Sequence, residues 1–496
     1  MKKILILIGM VIILLISSCT PNAAPETTAT IPPTNTPSKT TTVSPTVTKT
    51  PIPTGTSEPT LTPSSAAIHE NLLSENGPWF MYRYEDESIY FVNQDGTGKT
   101  QAPFSTYLAF ITSSTNNNLL AKIDIDKSGD RITSFLNIYK LPDFELLQTI
   151  DLQSYLIDHQ MEEDAIDEIQ TGTGSMLWSP NGRYLAFPAA IDGLSTDLYV
   201  YDTLTDQVNR LTSGENHVGN IFWSPNSQWI VHEEVIAFHG WYVEAMWAAA
   251  ADGTHVKWLY QPDHRDHQQL LGWLGSYRFV TYGSSANGLQ SARITNLYSN
   301  ESILLYPGAF GAAGPVLAPD LEIIAFNTAG DGTLSFEENG LYMIDLNAPA
   351  LRLISYDDQI AIYDESNGYF MTYSPCLDEE NGFSSNLGFT ADGILTCVPP
   401  QPFSYYQDIP SPDGKWTLDF EYEKVSLINT QEGTLFTERG VDYQPYWRSD
   451  SAGFFLASNE KLLYFDISTQ ELIEIDNALG FTNDPMQYEK PAWIGE

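Results

Sequence analysis

The chain has 496 residues, which exceeds the usual size of one domain, although a closed repeat architecture of about 400 residues forms a single unit. It carries 23 Lys and Arg residues against 63 Asp and Glu residues, a formal net charge of −40. Such an acidic surface repels phosphate backbones, so nucleic acid is excluded as a partner. Cations or cationic ligands are favoured, unless the acidity only keeps an exported protein soluble.

Residues 1–18 predict a signal peptide. Lys2 and Lys3 precede thirteen apolar or Gly residues at 4–16, a run too short to cross a bilayer. The following ISSC at 16–19 resembles a bacterial lipobox, which implies that Cys19 becomes the mature N-terminus and carries the lipid. The alternative is a plain secretory signal with an incidental Cys. We therefore expect an extracytoplasmic lipoprotein, anchored in the membrane through Cys19 at the bacterial cell surface or envelope.

Residues 19–78 predict a disordered, extended stalk. From Thr20 to Ser65 the chain has sixteen Thr and ten Pro among forty-six residues, and its first aromatic residue is Trp79. A segment of this composition has too few apolar side chains to bury a core.

From Trp79 onwards, two motifs recur. WSPNGRYLAF, from Trp178, reads as a strand, a tight turn and a second apolar strand. Related copies begin at Trp223, Trp273, Leu317, Pro410 and Trp447. A second hairpin, typified by YDTLTDQVNRLT, begins at Phe91, Ile138, Tyr201, Ala249, Ile294, Met343, Leu427 and Tyr464. Repeats of this size indicate a propeller or a solenoid.

Two hairpins per repeat make four-stranded units without crossover helices. We therefore predict an all-β fold, a single β-propeller of four-stranded blades over 79–496, with eight blades and seven as the alternative. One copy of the first hairpin is divided between the chain ends. We expect the strand around Trp493 to pair with the strand from Trp79 and to close the ring.

The second hairpins are 37 to 49 residues apart except for gaps of 63 and 84 residues, which predict insertions near 152–174 and 355–403. The first insertion has apolar residues near helical spacing with acidic residues between them at 155–170, and it reads as a short acidic helix. The second contains a turn-like ADG at Ala391, which leaves a degenerate extra blade as an alternative.

The SPDG and SPNG turns, followed by the YDxxT hairpin, resemble those of TolB-type, WD-repeat-like propellers over nearly all of 79–496. The resemblance implies that two kinds of connection surround the mouth of the central channel. One joins the fourth strand of a blade to the first strand of the next, and the other joins the second and third strands. A functional site is expected there, because the repeated turns build blades.

Histidines recur at this predicted mouth. His217 and His267 each lie six residues before a repeat tryptophan. Near them in the sequence are His232, Glu233, His239, Trp241, Tyr242, His264 and Asp266. The histidines and acids form a candidate site for a divalent metal, and the whole group is the candidate binding surface. The alternative is that the histidines bond neighbouring backbone, as in WD-type propellers.

Two further candidate features lie elsewhere. DIDKSGDR resembles the start of a calcium loop through Asp124, Asp126 and Ser128, but its twelfth position is Phe135 where a Glu ligand is needed, so a polar loop is the alternative. Cys376 and Cys397 are candidates for a disulfide in an exported chain.

The sequence lacks the G-x-S-x-G motif of the hydrolases that accompany some propellers. It favours a non-catalytic, monomeric binding platform for a peptide, a glycan or an envelope protein, with no confidently indicated cofactor. The alternative is a secreted carbohydrate-active enzyme, a lyase or a hydrolase, that uses His and acidic residues at the channel face.

Overall fold

The computed structural model describes residues 72–83, 88–105, 111–114, 117–126, 133–154, 176–237, 241–262, 268–284, 290–310, 314–328, 339–347, 351–364, 368–377, 384–398, 409–421, 424–429, 433–439, 443–458, 461–477 and 492–494. All of them belong to one compact unit, Glu58–Glu496. The predicted signal peptide, Cys19, most of the predicted stalk and the predicted acidic helix lie outside these residues. None of the described residues belongs to a helix long and apolar enough to cross a membrane.

The described secondary structure consists of β-strands. Those of the first half are β1 (Trp79–Arg83), β2 (Ser88–Asn93), β3 (Thr100–Ser105), β4 (Ile111–Ser113), β5 (Leu119–Asp126), β6 (Thr133–Lys140), β7 (Glu145–Asp151), β8 (Leu177–Trp178), β9 (Tyr184–Ala189), β10 (Asp197–Asp202), β11 (Gln207–Arg210), β12 (His217–Trp223), β13 (Trp229–Ala237), β14 (Trp241–Ala250), β15 (Val256–Tyr260), β16 (Gln269–Leu274), β17 (Arg278–Ser284), β18 (Gln290–Asn296) and β19 (Glu301–Phe310).

The strands of the second half are β20 (Val316–Ala318), β21 (Ile323–Asn327), β22 (Leu341–Asp345), β23 (Leu351–Ser355), β24 (Ile360–Asp364), β25 (Tyr369–Leu377), β26 (Ser384–Phe389), β27 (Leu395–Val398), β28 (Ile409–Pro410), β29 (Trp416–Glu421), β30 (Lys424–Asn429), β31 (Gly433–Arg439), β32 (Gln444–Trp447), β33 (Gly453–Ala457), β34 (Leu462–Asp466), β35 (Glu471–Asp476) and β36 (Ala492–Ile494).

These strands form nine four-stranded antiparallel sheets, which confirms the predicted all-β propeller. Blade 1 consists of β36, β1, β2 and β3, and each later blade consists of the next four strands, from β4–β7 in blade 2 to β32–β35 in blade 9. In such antiparallel sheets, the connection between the second and third strands and the link to the next blade lie at the same end. We call this end the connection face.

The described residues form nine blades rather than the predicted eight. The additional blade is β24–β27, which occupies most of the segment predicted as an insertion at 355–403. Its sequence carries neither the aromatic-Ser-Pro turn nor the YDxxT hairpin in recognisable form. A disulfide joins Cys376 on its second strand to Cys397 on its fourth strand, with 5.5 Å between the two Cα atoms.

The ring closes as predicted through the two ends of the chain. Strand β36 pairs with β1 in antiparallel register, with Trp79 opposite Ile494 and Met81 opposite Ala492. Closure therefore gives the first blade its inner strand from the last residues of the chain, and it covers an edge of β1 that would otherwise be unpaired.

Four of the tryptophans in the first motif tie neighbouring blades together. The indole Nε1 of Trp223 donates to the carbonyl of Leu177 at 2.9 Å, and that of Trp493 donates to the carbonyl of Trp447 at 2.8 Å. Trp178 and Trp447 make the same kind of bond to the preceding blade. Eight hydrophobic clusters also fill seams between successive blades. These four tryptophans thus link neighbouring blades through hydrogen bonds as well as through packing.

The first-hairpin turns also link the blades. The SPNG turn of blade 3 ends at Gly182 with a φ of 70°, whereas the matching position of blade 4 is Ser227 with a φ of 59°. The hydroxyl of buried Ser227 accepts a hydrogen bond of 3.0 Å from the backbone N–H of Asn181 in the preceding blade. Ser451 accepts the same bond from Asp413. These serines adopt a conformation that favours glycine because their hydroxyls bond the neighbouring turn.

We expect Ser227→Ala to lower the free energy of unfolding by about 1–3 kcal/mol, because it keeps the positive φ and leaves the Asn181 N–H without its acceptor. Ser227→Gly loses the same hydrogen bond but relieves the backbone, so we expect it to cost about 1 kcal/mol less than the alanine variant. Urea unfolding of both variants measures the difference. An alanine variant as stable as the glycine variant would contradict this role of Ser227.

Candidate functional site

Blade 4 carries the described residues of the candidate binding surface. Its second and third strands, β13 and β14, have nine and ten residues and form a long hairpin towards the connection face. His217 begins the inner strand β12, and His232 and Glu233 lie within β13. Trp241 and Tyr242 begin β14, but their side chains are not described. His239, His264, Asp266 and His267 lie outside the described residues.

His217 bonds the backbone of the preceding blade. Its Nδ1 atom accepts a hydrogen bond of 3.1 Å from the backbone N–H of Thr196, in the connection between the second and third strands of blade 3. This bond requires an imidazole that carries its proton on Nε2, and burial lowers the pKa of His217, which favours that neutral form. His217 therefore bonds neighbouring backbone, which is the predicted alternative to a metal ligand.

Glu233 is a fully buried carboxylate held by backbone amides. Its Oε2 atom accepts a hydrogen bond of 3.1 Å from the N–H of Asn220, and its Oε1 atom accepts one from the N–H of Gln268 in blade 5. Asn220 lies in a bulge of β12, where the strand register shifts between Val218 and Ile221. At Gly219 in this bulge a Cβ atom would lie 2.8 Å from Oε2 of Glu233, so the bulge needs a glycine there. Glu233 therefore fixes the inner strand of blade 4 to the start of blade 5.

Glu234 and two tryptophans lie beside these candidates on the same blade. The Nε1 atom of Trp247 donates to Oε2 of Glu234 at 2.7 Å, and Nδ2 of Asn216 donates to Oε1 of Glu234 at 2.8 Å. Trp247 lies opposite His232 on one neighbouring strand and opposite Trp258 on the other. Exposure rises along this row, from buried His232 through half-buried Trp247 to Trp258, which is 49% exposed. The row begins in the core and ends at the outer edge of the blade.

Sequence reasoning missed Glu234, Trp247 and Trp258. The available signal was the ADGT turn at 251–254, which sets the register of the third and fourth strands. This register places Trp247 opposite Trp258 after allowance for a bulge between Met246 and Trp247. The ADGT turn does not predict this bulge, so the pairing of Trp247 with Trp258 could be identified only in the structure.

His232 is buried, and its Nε2 atom makes no hydrogen bond. Its Nδ1 atom lies 3.2 Å from the carbonyl oxygen of Glu233. Burial lowers the pKa of His232 to about 4, because a charged imidazole would lose its hydration there. The folded protein therefore holds this side chain neutral.

This histidine predicts a pH-dependent contribution to stability. Between about pH 6.5 and pH 4 the unfolded chain binds a proton at residue 232 that the folded chain does not bind, so the free energy of unfolding falls as the pH falls through this window. The expected loss is about 3 kcal/mol. We expect His232→Asn to remove this part of the dependence in urea unfolding at pH 7.5, 6.5, 5.5 and 4.5. Replacement of the exposed His255 by Asn is the control, and equal pH dependence in wild type and His232→Asn would contradict the prediction.

In blade 3, which precedes blade 4, the side chain of Asp197 is buried and forms hydrogen bonds with other residues of the same blade. It accepts hydrogen bonds from Arg210 and, at 3.0 Å, from the Thr212 hydroxyl, while Arg210 also contacts Asp192 at 3.0 Å. Burial raises the pKa of Asp197, and its bonds to Thr212 and Arg210 oppose that shift. The carboxylates of Asp197 and Asp192 are thus paired with Arg210, and these contacts hold the start of β10 in place.

The candidate calcium ligands lie on a regular strand. Asp124 and Asp126 are in β5, and Ser128 lies outside the described residues. The Asp124 carboxylate is bonded to Lys122 and, at 2.7 Å, to Asn137. Over the part of the chain that the structure describes, no group of three or more His, Cys, Asp or Glu side chains is arranged to hold a metal.

Comparison with known proteins gives only distant structural similarities. No protein-family model matches the sequence, and no curated protein sequence matches it. Among solved structures, the chain resembles a eukaryotic initiation factor (13% identity, 84% of this chain and 98% of that chain, TM-score 0.46). It also resembles an oligogalacturonate lyase from Vibrio parahaemolyticus (10%, 69% and 95%, TM-score 0.35) and a putative TolB from Agrobacterium tumefaciens (16%, 54% and 81%, TM-score 0.26). With TM-scores below 0.5, these similarities carry no inference about the function of this chain.

Proposed function

We propose that this protein is a non-catalytic binding platform, a β-propeller that holds a peptide, a glycan or an envelope protein on its connection face. In this proposal the lipid on Cys19 anchors the chain in the bacterial membrane, and the Thr- and Pro-rich segment presents the propeller away from it. The structure shows the propeller fold, whereas its binding function and its membrane anchor are proposed.

One observation carries the proposal. Three described residues at the connection face of blade 4, two acids and a histidine, are engaged by the protein's own groups. His217 accepts from the Thr196 backbone, Glu233 accepts from two backbone amides, and Glu234 accepts from Trp247 and Asn216. A general acid or base has to reach a substrate proton, whereas these groups shape and stiffen a surface.

The test is a binding screen of the detergent-solubilised full chain by thermal shift against envelope glycans, peptides and divalent metals. A bound ligand raises the unfolding temperature in a concentration-dependent manner. We expect saturable stabilisation by at least one glycan or peptide. An absence of stabilisation across the whole panel would contradict the proposal.

A further inference from the structure

Three aromatic side chains and a lysine lie together on the face opposite the connection face, where the hairpin turns of the blades are. Tyr277 is in the first-hairpin turn of blade 5, and Tyr298 is in its second-hairpin turn. Their rings meet edge to face with 4.6 Å between the centroids, and Tyr298 is 77% exposed. Trp229 and Lys257 belong to the neighbouring blade 4. We call these four residues the tyrosine patch.

Lys257 connects the two blades within the patch. Its Nζ atom donates a hydrogen bond to the carbonyl of Leu297, the residue before Tyr298, and lies 4.9 Å from the centre of the Trp229 ring. The backbone N–H of Leu297 donates to the carbonyl of Tyr277 at 2.8 Å. Trp229, Tyr277 and Leu297 also pack in the hydrophobic cluster between blades 4 and 5. The four side chains of the patch are therefore neighbours across this seam.

The exposed ring of the patch stands on an ordered turn. The side-chain oxygen of Asn296 accepts hydrogen bonds from the backbone N–H groups of Tyr298 at 2.8 Å and of Ser299 at 3.3 Å, and Tyr277 packs against the Tyr298 ring. The hydroxyl of Tyr277 in turn donates to Oε1 of Gln228 at 3.4 Å. A ligand that stacks on Tyr298 does not have to order this turn, which lowers the entropic cost of binding.

Lys257 lacks an acidic partner. Eight described Lys and Arg side chains form ion pairs with a carboxylate, whereas no carboxylate of the described chain pairs with Lys257. Burial lowers the pKa of Lys257, because the charged form loses hydration. An ammonium group has three N–H donors, and the carbonyl of Leu297 accepts from only one of them. The patch therefore has donors left for the oxygen atoms of a ligand.

We propose that the tyrosine patch binds a neutral oligosaccharide, with one sugar ring stacked on Tyr298 and hydroxyl groups bonded to Lys257 and to the exposed amide of Gln228. The site lies on the face opposite to that of the proposed function, and the inference does not depend on that function. A sugar ring has an apolar C–H face that packs on an aromatic ring, and its hydroxyls accept from amide and ammonium N–H groups. Aromatic side chains with a few placed polar groups are the usual lining of a ligand site.

Charge selects a neutral sugar over a charged ligand. The net charge of −40 repels carboxylate and phosphate groups as they approach the protein. A cationic ligand is disfavoured for a local reason, since it would meet the ammonium group of Lys257. Neutral hydroxyl groups avoid both costs and still accept from the remaining donors of the patch.

The experiment is native affinity electrophoresis of the detergent-solubilised full chain in gels that contain hydroxyethylcellulose, xylan or galactomannan, with carboxymethylcellulose as the anionic counterpart of the first. We expect at least one neutral polysaccharide to retard the protein. Tyr298→Ala removes the stacking face and is expected to raise the dissociation constant about tenfold, whereas Tyr298→Phe should keep most of the retardation. Lys257→Met keeps the apolar stem beside Trp229 but loses the donors, and we expect a rise of about fivefold.

Tyr356→Ala is the matched control. Tyr356 is 57% exposed on the link between blades 6 and 7, outside the patch, so its replacement should leave the retardation unchanged. Three results would overturn the inference: equal retardation of wild type and Tyr298→Ala, retardation by carboxymethylcellulose alone, or lack of retardation by every neutral polysaccharide. None of these results bears on the proposed function, which fails only if its own screen finds no glycan or peptide ligand.

Discussion

Deletion of residues 487–496 is expected to lower the melting temperature by about 10 °C and to broaden the unfolding transition. The deletion removes β36, whose Trp493 ring lies 5.2 Å from that of Phe80 and 5.4 Å from that of Phe455 and donates a hydrogen bond of 2.8 Å to Trp447. Loss of a packed tryptophan costs about 3–5 kcal/mol, and a typical hydrogen bond adds about 1 kcal/mol. A loss of about 5 kcal/mol corresponds to roughly 10 °C in a large domain.

Differential scanning calorimetry measures this effect, with deletion of residues 495–496 as the control because it leaves β36 complete. Trp493→Ala tests the same contact without shortening the chain, and we expect it to account for more than half of the loss. An unchanged melting temperature after the longer deletion would show that the ring does not depend on the pairing of β36 with β1.

Replacement of Glu233 by Ala is expected to lower the free energy of unfolding by about 3–5 kcal/mol. The variant leaves the buried N–H groups of Asn220 and Gln268 without their charged acceptor, and each such loss costs about 1–3 kcal/mol. It also leaves a cavity beside Gly219. Glu233→Gln keeps the volume but places an amide N–H against one of the donors, so we expect about half of the loss.

Urea unfolding at pH 7 measures both Glu233 variants, with Glu301→Ala as the control because Glu301 is exposed on β19 and its loss should stay within about 0.5 kcal/mol. A Glu233→Ala variant that loses less than about 1 kcal/mol would contradict the anchoring role.

The fold was largely predictable because its information is local and repeated. Each turn specifies two strands through Pro, Asn or Asp, and Gly, and the tryptophan before the turn marks the inner strand. The divided first blade was predictable for the same reason, since Trp493 and Trp79 each carry half of a pattern that is complete elsewhere. Pairing of β36 with β1 confirms that step.

Blade 7, formed by β24–β27, was predicted only as an alternative to an insertion because its turns are degenerate. Its first hairpin turns at Gly368, with a φ of 71°, and lacks the aromatic-Ser-Pro sequence, while its second turns at the ADG of Ala391. The gap of 84 residues between second hairpins is about twice the repeat length, which points to a whole blade rather than an insertion. The spacing between second hairpins therefore predicts this blade better than the turn motif does.

The candidate site was less predictable because its contacts cross between blades. The sequence predicted that His217 lies at the link between two blades. Its partner Thr196 lies 21 residues earlier on another blade, and the two residues meet only because blades 3 and 4 pack together. His232 and Glu233 face opposite sides of β13, and both are buried because blades 3 and 5 cover the two faces of blade 4, which composition does not reveal. The divalent-metal hypothesis that includes His239, His264, Asp266 and His267 stays a prediction, since those four residues lie outside the described chain.

The most direct measurement of the proposed function is the mass of a bound ligand after long incubation with the protein. The ligand from the binding screen is incubated overnight with the full chain at saturating concentration, released by denaturation, and analysed by mass spectrometry. A binding platform returns the ligand intact with saturable binding, which is the result we predict. Shortened or unsaturated sugar fragments, or cleaved peptide, formed in proportion to protein concentration would contradict the account and identify an enzyme.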